Sequence, residues 1–145
     1  ALPQDYRYDL LTAEPKLNWS PLTWLEADYH ATLSYNATRI GSDTQLPPLL
    51  NLTQRLRLIL TIGRIDVQLS GEHYRNALSD GTHLSTLLAD ASLTWKHDRW
   101  RVEACLNNLF NKKTYAYTTY TATQSRTDWL RIRPRELSVK VGYQF

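Results

Sequence analysis

At 145 residues the chain has the length of one domain, or of one piece of a larger one. Its formal net charge of +3 comes from 17 basic and 14 acidic residues that are interspersed, which excludes the clustered basic footprint of a nucleic-acid binder. The single cysteine, Cys105, rules out an internal disulfide and any cysteine zinc site on this chain.

No apolar run approaches the ~20 residues of a membrane helix. Mean hydropathy is negative, but averaging is blind to alternation: a strand with one apolar face scores near neutral. The start, Ala1-Leu-Pro-Gln, has neither a basic nor an apolar leader region, so no signal peptide is expected. The absence of Met suggests a piece excised from a longer protein.

Taken in order, residues 5–19 are the least regular. Leu11, Ala13, Pro15, Leu17 and Trp19 alternate with polar residues, while Tyr6, Tyr8 and Leu10 fall on the other phase. This predicts a strand with a bulge or phase break near Leu10-Leu11, followed by a turn at Ser20-Pro21. Residues 25–37 alternate without exception. Leu25, Ala27, Tyr29, Ala31, Leu33, Tyr35 and Ala37 are apolar, and Glu26, Asp28, His30, Thr32, Ser34 and Asn36 are polar. Thirteen alternating residues exceed the ~5–6 of an ordinary strand and cover the ~9–11 that cross a bilayer at a tilt.

A loop over 39–49 leads to a third strand marked by Leu56, Leu58, Leu60 and Ile62. Gly63-Arg64 turns the chain into a fourth, with Ile65, Val67 and Leu69 on one face. After a polar loop over 75–84 come Leu87, Ala89, Ala91, Leu93 and Trp95, then a turn around His97-Asp98. Trp100, Val102, Ala104 and Leu106 mark a sixth strand. A loop over 120–128 precedes the last strand, where Leu137, Val139, Val141, Tyr143 and Phe145 alternate with Ser138, Lys140, Gly142 and Gln144. Short turns at one end and longer loops at the other describe an antiparallel up-and-down meander. The chain therefore reads as all-β, with about seven long strands forming part of a transmembrane β-barrel. Trp19, Trp24, Trp95 and Trp100 flank the short turns, as an interface belt requires, although the parity of Trp24 puts it on the polar face.

From Asn107 the chain reads Asn-Asn-Leu-Phe-Asn-Lys-Lys-Thr-Tyr115. Leu109-Phe110 breaks the alternation and predicts a bulge whose loosened backbone groups Asn108 could satisfy. With Asn108, Leu109, Phe110 and Tyr115, this resembles the Asn-Leu-Phe-Asn/Asp-Lys-x-Tyr motif near the C-terminal end of TonB-dependent outer-membrane receptors. Arg133-Pro134-Arg135 is similar to the Arg-Pro-Arg element before the last strand of Bacteroidetes-type receptor barrels. The ending with Val141, Tyr143 and Phe145 resembles the terminal aromatic signal for membrane assembly. These motifs cover roughly the last third of the chain. The resemblance implies nutrient uptake at the bacterial outer membrane, by a barrel of about 22 strands with a plugged lumen. Its implied partners are lipid, the rest of the barrel and plug, a TonB-type energising complex and the barrel-assembly machinery. Residues 1–145 would be a C-terminal wall segment of such a barrel, lacking the plug.

No enzymatic activity, cofactor, catalytic group or metal site is expected. Asp28 and His30 share a strand face, but i,i+2 neighbours lie ~7 Å apart, and hydrogen bonding to adjacent strands is the ordinary use of such residues. His73, His83 and His97 are placed at or near strand ends and loops. Arg131, Arg133 and Arg135 continue the outward phase of Leu137, unless Pro134 resets it; lipid headgroups or loop salt bridges would both suit them. Lys112 and Lys113 among Tyr115, Tyr117 and Tyr120 suit an interface belt or a sugar or peptide contact. Two other classes fit the pattern less fully: a soluble, carbohydrate-binding β-sandwich whose apolar faces pack together, and an outer-membrane enzyme or adhesin barrel.

Overall fold

The computed structural model describes residues 6–41, 44–45, 47–78, 80–120 and 125–145, and these are all-β. The strands are β1 (Tyr6–Ala13), β2 (Lys16–Leu22), β3 (Leu25–Ile40), β4 (Thr44–Gln45), β5 (Leu49–Ile62), β6 (Ile65–Ala77), β7 (His83–His97), β8 (Trp100–Asn107), β9 (Thr114–Tyr120), β10 (Ser125–Arg131) and β11 (Glu136–Tyr143). One antiparallel sheet runs β1-β3-β5-β6-β7-β8-β11, the predicted seven-strand meander. β2 extends β1 along the same partner, and β4 pairs with the end of β3. β9 and β10 form a separate hairpin.

The alternation predicted for each strand survives in the registers. Leu25, Leu60, Val67, Leu93, Ala104 and Val139 are successive cross-strand partners, so apolar residues from six strands share one face. Directly paired residues point to the same side of a sheet. The opposite face carries Asp28, Arg57, Ser70 and Asp90 in its own continuous run of partners.

Several boundaries differ from the sequence reading. No phase break occurs at Leu10-Leu11: Tyr6 to Trp19 hold one register against Ile40 to Ala27, and the Ala31 N–H donates to the Pro15 carbonyl at 3.0 Å across the gap between β1 and β2. Tyr8 and Leu10 simply lie on the polar face. The Tyr8 hydroxyl accepts a bond from Asn36 Nδ2 at 3.1 Å, whereas nothing in the structure explains Leu10. The first turn falls at Thr23-Trp24, not Ser20-Pro21; the register instead slips between Trp19 and Leu22. Proline withholds a ladder donor; Pro21 sits on edge strand β2 and Pro15 in the gap between β1 and β2 along the same edge, where that is tolerated. Trp24 is therefore a turn residue. The third turn is at Asp98-Arg99, one residue later than read.

At the other rim, β6 runs on to Ala77 and β7 begins at His83, so the expected 75–84 loop shrinks to 78–82. Side chains hold the extension: the Ala77 N–H donates to Asn51 Oδ1 at 2.9 Å, and Asn76 Nδ2 donates to the Ala116 carbonyl at 2.9 Å. The expected 120–128 loop is partly strand, because β10 starts at Ser125; Thr121 to Gln124 lie outside the described residues.

Burial is lopsided. Ala116 and Thr118 of β9 and Asn76 and Thr86 of the main sheet are buried where the hairpin covers the polar face. Tyr74 and Tyr115 meet there edge to face, with ring centroids 5.1 Å apart. On the apolar face Leu33, Leu56, Leu69, Leu93, Val139 and Val141 are all exposed. Among the described residues no second layer lies over that face, as a sandwich would require.

Candidate functional site

The apolar face has a height and a slant that the registers define. Leu22–Leu25 closes the first two-residue turn, level with Leu60 and Val67. Ile62–Ile65 closes the second, two residues lower, and His97–Trp100 the third, two lower again. The descent is one residue per strand. The same bond repeats at each step: the carbonyls of Trp24, Arg64 and Arg99 accept from the N–H groups of Thr61 on β5, Lys96 on β7 and Gln144 just past the end of β11. With ~3.4 Å per residue and ~4.8 Å between strands, the line through the turns is inclined by about 35° to the perpendicular of the strands, at the lower end of the tilt of barrel strands.

Levelled on that line, Trp19, Trp95, Trp100 and Tyr143 come to within about one residue of the same height, although they sit on four strands. Trp100 packs edge to face on Tyr143 at 4.9 Å, and Tyr143 on Phe145 at 5.2 Å. Moving up the same face, the first charged side chain is Arg75, with Asp9, Arg7 and Arg39 higher still. Among the described residues, no Asp, Glu, Lys or Arg lies on this face between the aromatic row and Arg75. That neutral band is about 25 Å tall, the height of the apolar band of an outer-membrane barrel.

Among the described residues, Gln54 and His73 are the polar side chains that enter the band, and both are partnered. The Tyr29 hydroxyl donates to Gln54 Oε1 at 2.9 Å, Gln54 Nε2 meets His73 Nδ1 at 3.4 Å, and His73 Nε2 meets Ser85 Oγ at 2.9 Å. The chain of bonds crosses four strands and leads His73 towards the polar upper margin. His73 thus lies within β6, not near a strand end as read from the sequence. An unpaired imidazole there would carry a desolvation cost of about 1–3 kcal/mol.

On the polar face, charges pair across strands. Arg57 Nε donates to Asp28 Oδ2 at 2.9 Å, Arg55 Nε lies 3.1 Å from Glu72 Oε1, and Lys96 Nζ lies 2.7 Å from Asp66 Oδ2. Asp28 is therefore a partner of Arg57 and does not bond His30. Cys105 points its thiol at Glu103 Oε1, 3.4 Å away. Among the described residues no cluster of three His, Cys, Asp or Glu side chains could hold a metal ion.

The residues singled out near the end of the sequence form a clasp. Asn108, 7 % exposed with φ of 52°, donates from Nδ2 to the carbonyls of Lys112 at 2.8 Å and Arg133 at 2.7 Å, and its Oδ1 accepts from the Lys112 N–H at 2.9 Å. Its own N–H donates to Asp90 Oδ1 at 2.7 Å. Asn111 Oδ1 accepts from the Arg135 N–H at 3.1 Å, and the Arg135 guanidinium donates to the Leu109 carbonyl at 2.5 Å. The Asn-Leu-Phe-Asn and Arg-Pro-Arg segments, 25 residues apart in sequence, thus hold each other. The predicted break at Leu109-Phe110 is a turn, and Asn108 satisfies its backbone.

The other singled-out residues are placed as follows. Leu109 is half-buried, Phe110 is exposed, and Tyr115 faces Tyr74. Pro134 lies in the irregular 132–135 segment, so the outward phase of Leu137 is not carried back to Arg131, which ends β10 opposite Thr114, or to Arg133. Val141, Tyr143 and Phe145 stand exposed on the apolar side. Sequence reasoning missed the hairpin and the Tyr29–Ser85 chain of bonds. Asn76 and Gln54, polar residues inside strand patterns, were the available signals. No protein-family model, curated protein or solved structure matches this chain.

Proposed function

We propose that this chain is a C-terminal wall segment of a transmembrane β-barrel in the bacterial outer membrane, of the TonB-dependent receptor type, serving nutrient uptake. The observation that carries the membrane part is the neutral, uncovered band, about 25 Å tall, bounded below by the aromatic row and above by Arg75. Water is a poor solvent for such a face: each exposed Leu, Val or Phe gains about 1.5–3 kcal/mol when fully covered by an apolar phase. The polar face, with its cross-strand ion pairs and overlying hairpin, is then the inner wall.

The receptor part rests on the resemblance of the Asn108–Tyr115 and Arg133–Arg135 segments to receptor motifs. Their mutual clasp supports it, since two motifs that co-occur should have a joint structural task. In this reading the edges at β1/β2 and β11 pair with further wall strands, a plug fills the lumen, and a TonB-type complex supplies energy. The wall has no enzymatic role and needs no cofactor.

An antibody against this segment tests the assignment on fractionated source cells. The account expects a band several-fold heavier than 16.9 kDa in the outer-membrane fraction. A soluble band at the size of this chain would overturn it.

A further inference from the structure

We propose that the inner, polar face carries an anion-binding site at the row Lys16–His30–Arg55, for a ligand bearing a carboxylate or phosphate group. Lys16 is the cross-strand partner of His30, and His30 of Arg55, so three nitrogen-bearing side chains stand side by side on β2, β3 and β5. They open onto a cavity of about 320 Å³ that Asn18, Asp28 and Arg57 also line.

Three features point to an anion. His30 Nε2 is buried and has no hydrogen-bond partner, a costly state for a polar atom unless a ligand supplies one. Lys16 has no ion-pair partner among the described residues. Arg55 places its Nε on Glu72 and also bonds the Tyr74 side chain, and a guanidinium with five N–H donors keeps further donors for a ligand. Asp28 does not occupy the position, because Arg57 holds it one row away. Lys16, His30 and Arg55 offer nitrogen donors and no carboxylate of their own, a set that suits an oxyanion better than a metal ion. Neighbouring strands lie ~4.8 Å apart, so the row spans about 10 Å, within reach of the Lys16 and Arg55 stems converging on one small oxyanion above His30.

The site deepens the uptake reading by giving the class of cargo, and its role in uptake rests on that reading. The test is calorimetric titration of the purified full-length protein in detergent with inorganic phosphate and, separately, with succinate. Saturable binding of either probe, weakened at least tenfold by Lys16→Gln and by His30→Gln but unchanged by Lys140→Gln on β11, supports the site. Which probe binds decides between phosphoryl and carboxylate ligands. No saturable binding, equal binding in all variants, or equal weakening by Lys140→Gln overturns it. Membrane fractionation of the same variants reads the membrane placement separately, so loss of the site and loss of the wall assignment give different results.

Discussion

The side-chain amide of Asn108 donates to the backbone carbonyl of Arg133 across 2.7 Å, joining the end of β8 to the segment that leads into β11. The Asn108 side chain bonds both sides of this junction, and its positive φ is one that asparagine tolerates and most residues do not. Asn108→Ala removes three hydrogen bonds and adds backbone strain. The expected loss is about 2–4 kcal/mol by urea unfolding in detergent. Asn108→Gly keeps the backbone conformation and loses only the bonds, so it should fall between wild type and alanine. Equal stability of all three would remove the clasp from the account.

The two faces of β11 should respond oppositely to charge. Val141→Asp places a carboxylate in the neutral band and should abolish recovery from the membrane fraction, while Lys140→Asp, on the polar face, should fractionate as wild type. Normal assembly of the Val141→Asp protein would mean that the face is misassigned.

Gln54 and His73 should behave as a coupled pair. Gln54→Leu alone leaves His73 Nδ1 unpartnered and should cost about 1–2 kcal/mol, whereas the double replacement Gln54→Leu with His73→Leu should cost less than the sum of the singles. A double-mutant cycle on unfolding midpoints checks this. Simple additivity would mean that the two side chains do not interact.

The turn between β6 and β7 should loosen in acid. The Thr82 hydroxyl and backbone N–H, at 2.6 and 2.9 Å, hold the Asp80 carboxyl below its ordinary pKa of 3.8. A lowered folded-state pKa contributes stability that is complete above the ordinary value and lost as pH falls through the lowered one. Thr82 amide exchange should therefore stay protected down to about pH 3.8 and rise, relative to intrinsic exchange, only below it. Asp80→Asn should remove the pH dependence.

Period-two alternation made the strands and their faces legible, since Leu25 to Ala37 has no helical reading and every predicted apolar residue on β7, β8 and β11 shares one side. It could not supply boundaries. β6 runs past Arg75 because Asn51 and Ala116 satisfy its end, and those partners lie 26 and 40 residues away. The slip at Ser20-Pro21 was mistaken for a turn because proline signals both an edge and a turn. Asn108 was legible as a local backbone partner, but its bond to Arg133 was not, being a long-range contact with no periodic trace. The row Lys16–His30–Arg55 exists only once the register is fixed, since a shift of one residue would send His30 to the other face.

The most direct test of the proposal that the neutral band faces a membrane is nitroxide scanning of β11. With Cys105→Ser as background, single labels are placed in turn from Leu137 to Tyr143, and collision with oxygen is compared with collision with a water-soluble nickel chelate in a lipid bilayer. The account predicts alternation with period two: oxygen-accessible labels at 137, 139, 141 and 143, and nickel-accessible labels at 138, 140 and 142. Labels that are nickel-accessible at every position, or an alternation of the opposite phase, would contradict it.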